Sequence, residues 1–123
     1  MTDTTVNPYP TTPAKVAAAI LDAIDYEPAA FNMGTWATLP TGKLKPGEEI
    51  QCGTTMCVAG WAAHLTGHTL QSDEDNGVIA VTADGRERDV EEVAAEALGL
   101  DDTGMFWDTA SDARAQLRTI AGR

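Results

Sequence analysis

Thr54-Thr55-Met56-Cys57-Val58-Ala59-Gly60-Trp61-Ala62-Ala63-His64-Leu65-Thr66-Gly67 is the stretch that decides the fold class of this 123-residue chain. A hydroxyl at Thr54 or Thr55 suits the start of a helix, where a side-chain oxygen accepts an otherwise orphaned backbone N–H. Gly67 suits its end, because glycine adopts the left-handed terminal conformation without a Cβ penalty. Between them Val58, Trp61, Ala62 and Leu65 fall on one face and Cys57 and His64 on another, with no charged side chain. A helix that is apolar on nearly all sides belongs in the middle of a domain. Gly60 inside it costs on the order of 1 kcal/mol against alanine, which is tolerable where another backbone packs closely. The run predicts a buried central helix over about residues 54–66.

Outward from that helix, similar signals recur. Thr12-Pro13 pairs a capping hydroxyl with a proline whose missing N–H is harmless in the first turn. Val16, Ile20 and Ile24, with Ala17 and Leu21, then recur at helical spacing until Glu27-Pro28 closes the helix. Phe31, Met33 and Trp36 read as a packing segment. Residues 39–49 hold Pro40, Gly42, Pro46 and Gly47 and read as a loop, the best candidate for a mobile surface. Residues 68–76 also read as a polar loop. Val78-Ile79-Ala80-Val81-Thr82 is a β-branched strand, and Asp84-Gly85 makes a two-residue turn into Arg86-Glu87-Arg88. Asp89-Val90-Glu91-Glu92 is a variant capping box that starts a helix bearing Val90, Val93, Ala94, Ala97 and Leu98. Gly99-Leu100 supplies a Schellman ending. Asp101 suits the cap of a short helix with Met105, Phe106 and Trp107, and Thr109 or Ser111 the cap of a last one with Ala113, Leu117 and Ile120. The expectation is a mainly α (α+β) fold: a small helical domain of four to five helices with one short β-hairpin, spanning residues 13–123 after a flexible lead-in over 1–12.

Composition narrows the function classes. The net charge of −11 comes from 19 acidic and 8 basic side chains, a balance that repels phosphate backbones and anionic lipid surfaces. Direct nucleic-acid or membrane binding is not expected. Residues 1–72 carry six acids and three bases, 73–112 carry thirteen and two, and 113–123 carry three arginines alone. Nearly the whole excess therefore lies on one middle-to-late segment. Residues 56–65 form the longest uncharged apolar run, about half of what a bilayer span needs. The N-terminus has neither the basic nor the apolar region of a signal peptide, so a cytosolic setting with free thiols at Cys52 and Cys57 is expected.

Four constellations bear on chemistry. Cys52 near a helix start feels the positive end of the helix dipole, which favours a thiolate. A papain-type enzyme, however, draws its base from far downstream, and the chain has no histidine after His68. Cys52-x4-Cys57-x6-His64-x3-His68 offers zinc-ligand types. Yet seven residues of unbroken helix separate Cys57 from His64 by about 10 Å, whereas ligands of one zinc converge within about 4 Å. Asp73-Glu74-Asp75-Asn76-Gly77 with Asp84 echoes a calcium loop but lacks its fifth-position oxygen and terminal glutamate. Trp36, Trp61 and Trp107 suit a core better than a binding cleft. No cofactor and no catalytic residue is assigned.

Phe31-Asn32-Met33-Gly34-Thr35-Trp36, residues 52–61 and the Leu98-Gly99-Leu100 segment leading to Phe106 together resemble a family of small proteins of actinobacteria and their phages. That family carries a Cys-Gly-Thr-Thr-x-Cys-x-Ala-Gly-Trp core after an aromatic-x-Met-x-x-Trp segment. The resemblance covers roughly residues 14–120 and implies a setting rather than a mechanism: an accessory protein that binds a host protein. The interaction surface expected from charge and aromatic content comprises Asp73, Glu74, Asp75, Glu91, Glu92, Asp101, Asp102 and Trp107. Two alternatives stand beside it. One is an acidic mimic of DNA that occupies a nucleic-acid-binding protein, and the other a thiol or metal module built on Cys52 and Cys57.

Overall fold

The computed structural model describes residues 12–33, 37–39, 42–45, 53–72, 77–101, 104–107 and 109–123, with the side chains of Met105 and Trp107 set aside. Along the chain these form α1 (Pro13–Tyr26), a 3-10 turn (Pro28–Ala30), β1 (Ala37–Thr38), β2 (Lys43–Leu44), β3 (Thr55–Met56) and α2 (Val58–Leu65). They continue with β4 (Thr69–Ser72), β5 (Val78–Val81), β6 (Glu87–Asp89), α3 (Val90–Leu98), a 3-10 segment (Gly104–Trp107) and α4 (Ala110–Ala121).

Helix ends follow the local chemistry. Thr12 Oγ1 accepts the Lys15 N–H at 3.3 Å and Pro13 opens α1, while Thr109 Oγ1 accepts the Asp112 N–H at 3.2 Å to start α4. At the end of α3, Leu100 N–H donates to Ala95 C=O and Gly99 N–H to Glu96 C=O, with Gly99 left-handed at φ 67°. This is the Schellman pattern. Gly67 after α2 and Gly122 after α4 close their helices in the same way.

The helix at the centre is α2. Of its residues, Val58 through His64 are all buried, and it packs against α3, α1 and β4. A helix this short is marginal in water, so tertiary packing holds it. On α1, Val16, Ala17, Ile20, Leu21 and Ile24 face inward, and burying an isoleucine stabilises by about 1.5–3 kcal/mol. The α4 helix lies along α1, where Arg123 pairs with Asp22 at 3.0 Å and Arg114 with Asp25 at 3.3 Å. The Arg114 guanidinium also sits 5.7 Å from the centre of the Phe31 ring.

The expected single hairpin is incorrect. Among the described residues six strands form two antiparallel sheets, β1–β3 and a four-stranded sheet ordered β2–β4–β5–β6. The fold is α+β, with the larger sheet packed on α2 and α3 through β4, β5 and β6. Both supposed loops contain strands. Lys43 and Leu44 of β2 pair with Gln71 and Leu70 of β4, and β4 pairs along its whole length with β5. Thr69-Leu70-Gln71-Ser72 sounds polar because only one face of the strand is buried, and Leu70 is its single inward apolar residue. Thr55-Met56 is likewise a strand, paired with Ala37-Thr38, so α2 starts at Val58 with Cys57 in the capping position and no side-chain cap bond. The β5–β6 hairpin is present, but its loop has three residues rather than two. Thr82 N–H donates to Arg86 C=O and Gly85 N–H to Thr82 C=O, with Gly85 at φ 90°. The short helix bearing Phe106 is a 3-10 segment with Phe106 buried. Of the expected lead-in, all but Thr12 lies outside the described residues.

Candidate functional site

Among the described residues, Cys57, His64 and His68 do not gather into one site. Cys57 is 1% exposed. Burial pushes its thiol up from the ordinary value of 9.0, outweighing the opposing hydrogen bonds from the Gly60 and Ala59 backbone. A thiol held in that state is a core hydrophobe and a poor nucleophile. His64 is buried on α2, its ring edge-on to Trp61 with centroids 6.2 Å apart. His68 lies beyond the end of α2. No group of three or more metal-ligating side chains gathers among the described residues, and Cys52 lies outside them. Trp61 is 3% exposed and its Nε1 has no hydrogen-bond partner, so it belongs to the core. Trp36 and the Trp107 side chain lie outside the described residues, as do Asp73, Glu74, Asp75 and Asp102.

A polar cluster forms instead where β6 runs into α3. Cross-strand register places Leu44, Leu70, Ala80 and Arg88 in one row across the sheet. The first three are buried, so this row faces the helices and Arg88 ends it at the sheet edge. Its guanidinium reaches Glu92 at 3.2 Å and forms a close pair with Glu96. Both carboxylates hold the guanidinium well above its usual range, and Arg88 in turn holds the Glu96 carboxyl below the ordinary value. The two glutamates are 60% exposed, so each pair is worth about 0–1 kcal/mol in stability. Three of its N–H groups are directed at these two carboxylates, which already balance its charge.

Two open depressions adjoin Arg88. One, of about 240 Å³, lies between the start of α1, the end of α2 and α3, with Thr66, His68, Arg88 and Glu96 as its polar wall. The Thr66 hydroxyl donates to Ala62 C=O at 2.7 Å. The same hydroxyl lies 3.2 Å from His68 Nδ1. Burial pushes this ring below the ordinary 6.5, aided by Arg88 and opposed by the Ala63 carbonyl and Glu96.

The sign follows from which state takes up the proton first. As pH falls through 6.5 the unfolded chain protonates His68 before the folded one does, so stability is lost in the window between 6.5 and the lowered folded value. The His68 ring resonance, followed by NMR, is expected to titrate below 6.5, and His68→Gln is expected to flatten the pH dependence of the thermal midpoint in that window. A His68 midpoint at or above 6.5 contradicts this.

The second depression, of about 340 Å³, is walled by Ile79, Glu87, Arg88, Asp89 and Glu92. Around it the chain from the hairpin to the end of α3 exposes Asp84, Glu87, Asp89, Glu92, Glu96 and Asp101, with Glu91 half-buried. Sequence reasoning identified Glu91, Glu92 and Asp101 and missed Arg88, Glu96, Ile79, Glu87 and Asp89. The Arg88–Glu92 spacing of four is not a helical ion pair, because Arg88 lies on β6 and Glu92 on α3. The reach to Glu96 depends on β6 passing into α3 without a linker. No helix among the described residues is long and apolar enough to cross a membrane. Comparison with protein-family models, curated proteins and solved structures finds no match to this chain.

Proposed function

We propose that this protein is a non-enzymatic binding protein whose acidic face, carried by the β5–β6 hairpin and α3, contacts a basic partner protein. The resemblance of residues 52–61 to small actinobacterial and phage proteins supplies the setting, an accessory protein acting on a host factor. The observation that carries the reading is where the basic side chains are used. Arg114 and Arg123 of α4 are committed to Asp25 and Asp22 of α1, so these two C-terminal positive charges serve the helix pair. Arg86 and Arg88 pair within the acidic segment itself, with Asp84 at 3.4 Å and with Glu92 and Glu96. From the hairpin to the end of α3 the exposed carboxylates of Asp84, Glu87, Asp89, Glu92, Glu96 and Asp101 outnumber these two arginines, and such a field speeds encounter with a positively charged partner.

The test is affinity capture from host lysate, run in parallel with a variant carrying Glu87→Gln, Glu91→Gln and Asp101→Asn. These side chains take part in none of the ion pairs above. Basic proteins are expected on the wild-type protein at low salt, with loss on the variant and near 1 M salt, where screening acts within about 3 Å. Equal capture by the variant, or capture that is insensitive to salt, overturns the reading. A captured nucleic-acid-binding protein that DNA displaces would favour the DNA-mimic form of the same surface.

A further inference from the structure

The four-stranded sheet has a second face. Because side chains alternate along a strand, the residues between the Leu44, Leu70, Ala80 and Arg88 positions point away from the helices. The register sets Lys43, Gln71, Ile79 and Asp89 in one outward row and Thr69, Val81 and Glu87 in the next. Ile79 and Val81 are half-buried and stand apart from the core cluster. They lie side by side along β5, bordered on the β6 edge by the carboxylates of Glu87 and Asp89. The 340 Å³ depression opens at this border, with Ile79 as its apolar wall and three carboxylates against one guanidinium. That guanidinium already belongs to Glu92 and Glu96.

We propose that this outer face is the docking surface for an extended segment of the partner whose sheet-facing positions, every second residue, carry an apolar residue and an arginine or lysine in turn. The inference rests on the basic-partner reading above and adds the place and the pattern. An extended segment repeats its side chains with the same period of two as the sheet beneath it, so residues i and i+2 face Val81 and Ile79 together. The apolar one lies over Val81. A cationic side chain lays its aliphatic stem along Ile79 and places its charge among Glu87, Asp89 and Glu92. Charge complementarity selects this occupant over a second copy of the chain, because stacking two copies brings together molecules that each carry −11. Adding a strand to the β6 edge is a poorer fit, since β6 has three residues and carries the protective charges typical of guarded edges.

The experiment is NMR shift mapping on the isotopically labelled full chain, titrated with three short synthetic peptides: one with valine and arginine in turn at every second position and serine between them, one with arginine at all of those positions, and one with glutamate in place of the arginines of the first. The first is expected to shift Ile79, Val81, Glu87 and Asp89 saturably, the second to shift them with weaker affinity, and the third to leave them unmoved. Ile79→Thr keeps a β-branched strand residue, so the thermal midpoint is expected to hold while the dissociation constant for the first peptide rises about fivefold, the loss of roughly 1 kcal/mol of apolar contact. If the first peptide binds but shifts residues away from β5 and β6, or if Ile79→Thr leaves its affinity unchanged, the docking surface is wrong while the basic-partner reading stands. If neither arginine peptide shifts any residue near about 1 mM, a weak-binding limit, both fall.

Discussion

Gly99→Val is expected to lower stability by about 2–4 kcal/mol, a fall of roughly 6–15 °C in the thermal midpoint for a chain of this size. Two independent terms contribute. Gly99 sits at φ 67°, in the left-handed region, where a residue with a Cβ costs about 1–2 kcal/mol and a β-branched one more. A Cβ built there also lies 3.0 Å from Cγ and 3.5 Å from Cβ of Pro13, the first residue of α1. The end of α3 thus abuts the start of α1 so closely that a Cβ enters only if the Pro13 ring shifts by a few tenths of an ångström. Gly85 and Gly122 are the controls. Both have positive φ, at 90° and 78°, and a Cβ on either meets nothing within 4 Å. Gly85→Val and Gly122→Val are expected to show the conformational term alone. A double-mutant cycle with Pro13→Ala should recover part of the loss at Gly99 and none at Gly85. Chemical denaturation that finds Gly99→Val no worse than the two controls would rule out the helix contact.

Leu70→Ala is expected to cost about 2–5 kcal/mol, the range for truncating a fully buried leucine. Leu70 is 0% exposed and lies in the inward row between Leu44 and Ala80. Gln71→Ala, one residue on and facing outward, is expected to fall within about 0.5 kcal/mol. The pair separates the strand from the loop that residues 68–76 suggest on composition. In a polar surface loop both substitutions would be mild, and no one-residue alternation would appear in urea midpoints.

Leu70 shows why part of the fold was unreadable. A strand declares itself through several alternating apolar residues, and β4 has one. β2 has two residues in all, too few to form any period. These segments become strands because β5 and the helix layer offer a ladder and a core to join, and neither partner is local in sequence. The start of α2 failed for a related reason. Thr55 and Met56 suit a helix cap and first turn, but Met56 is drawn fully into the core by pairing with Ala37. Helix ends fared better because caps and glycine stops act within a few residues. Thr12, Thr109 and the Gly67 and Gly99 stops are where local chemistry placed them.

The candidate site divides along the same line. Composition alone located the negative charge between residues 73 and 112, and the buried setting of Cys57 and Trp61 follows from an apolar periphery written into the sequence, whereas His64, expected to be partly exposed, is buried by the packing around α2. Local pattern likewise determined the helical periods, the hairpin strand at Val78–Val81 and the helix stops, since each depends on side chains within one or two turns of each other. Only the tertiary structure decided that Arg88 ends an inward row and clamps α3, that α4 gives Arg114 and Arg123 to α1, and that Ile79 and Val81 stand together on an acidic-edged outer face. Those facts depend on strand register and on which helix lies beside which, interactions between residues tens of positions apart that no local period encodes.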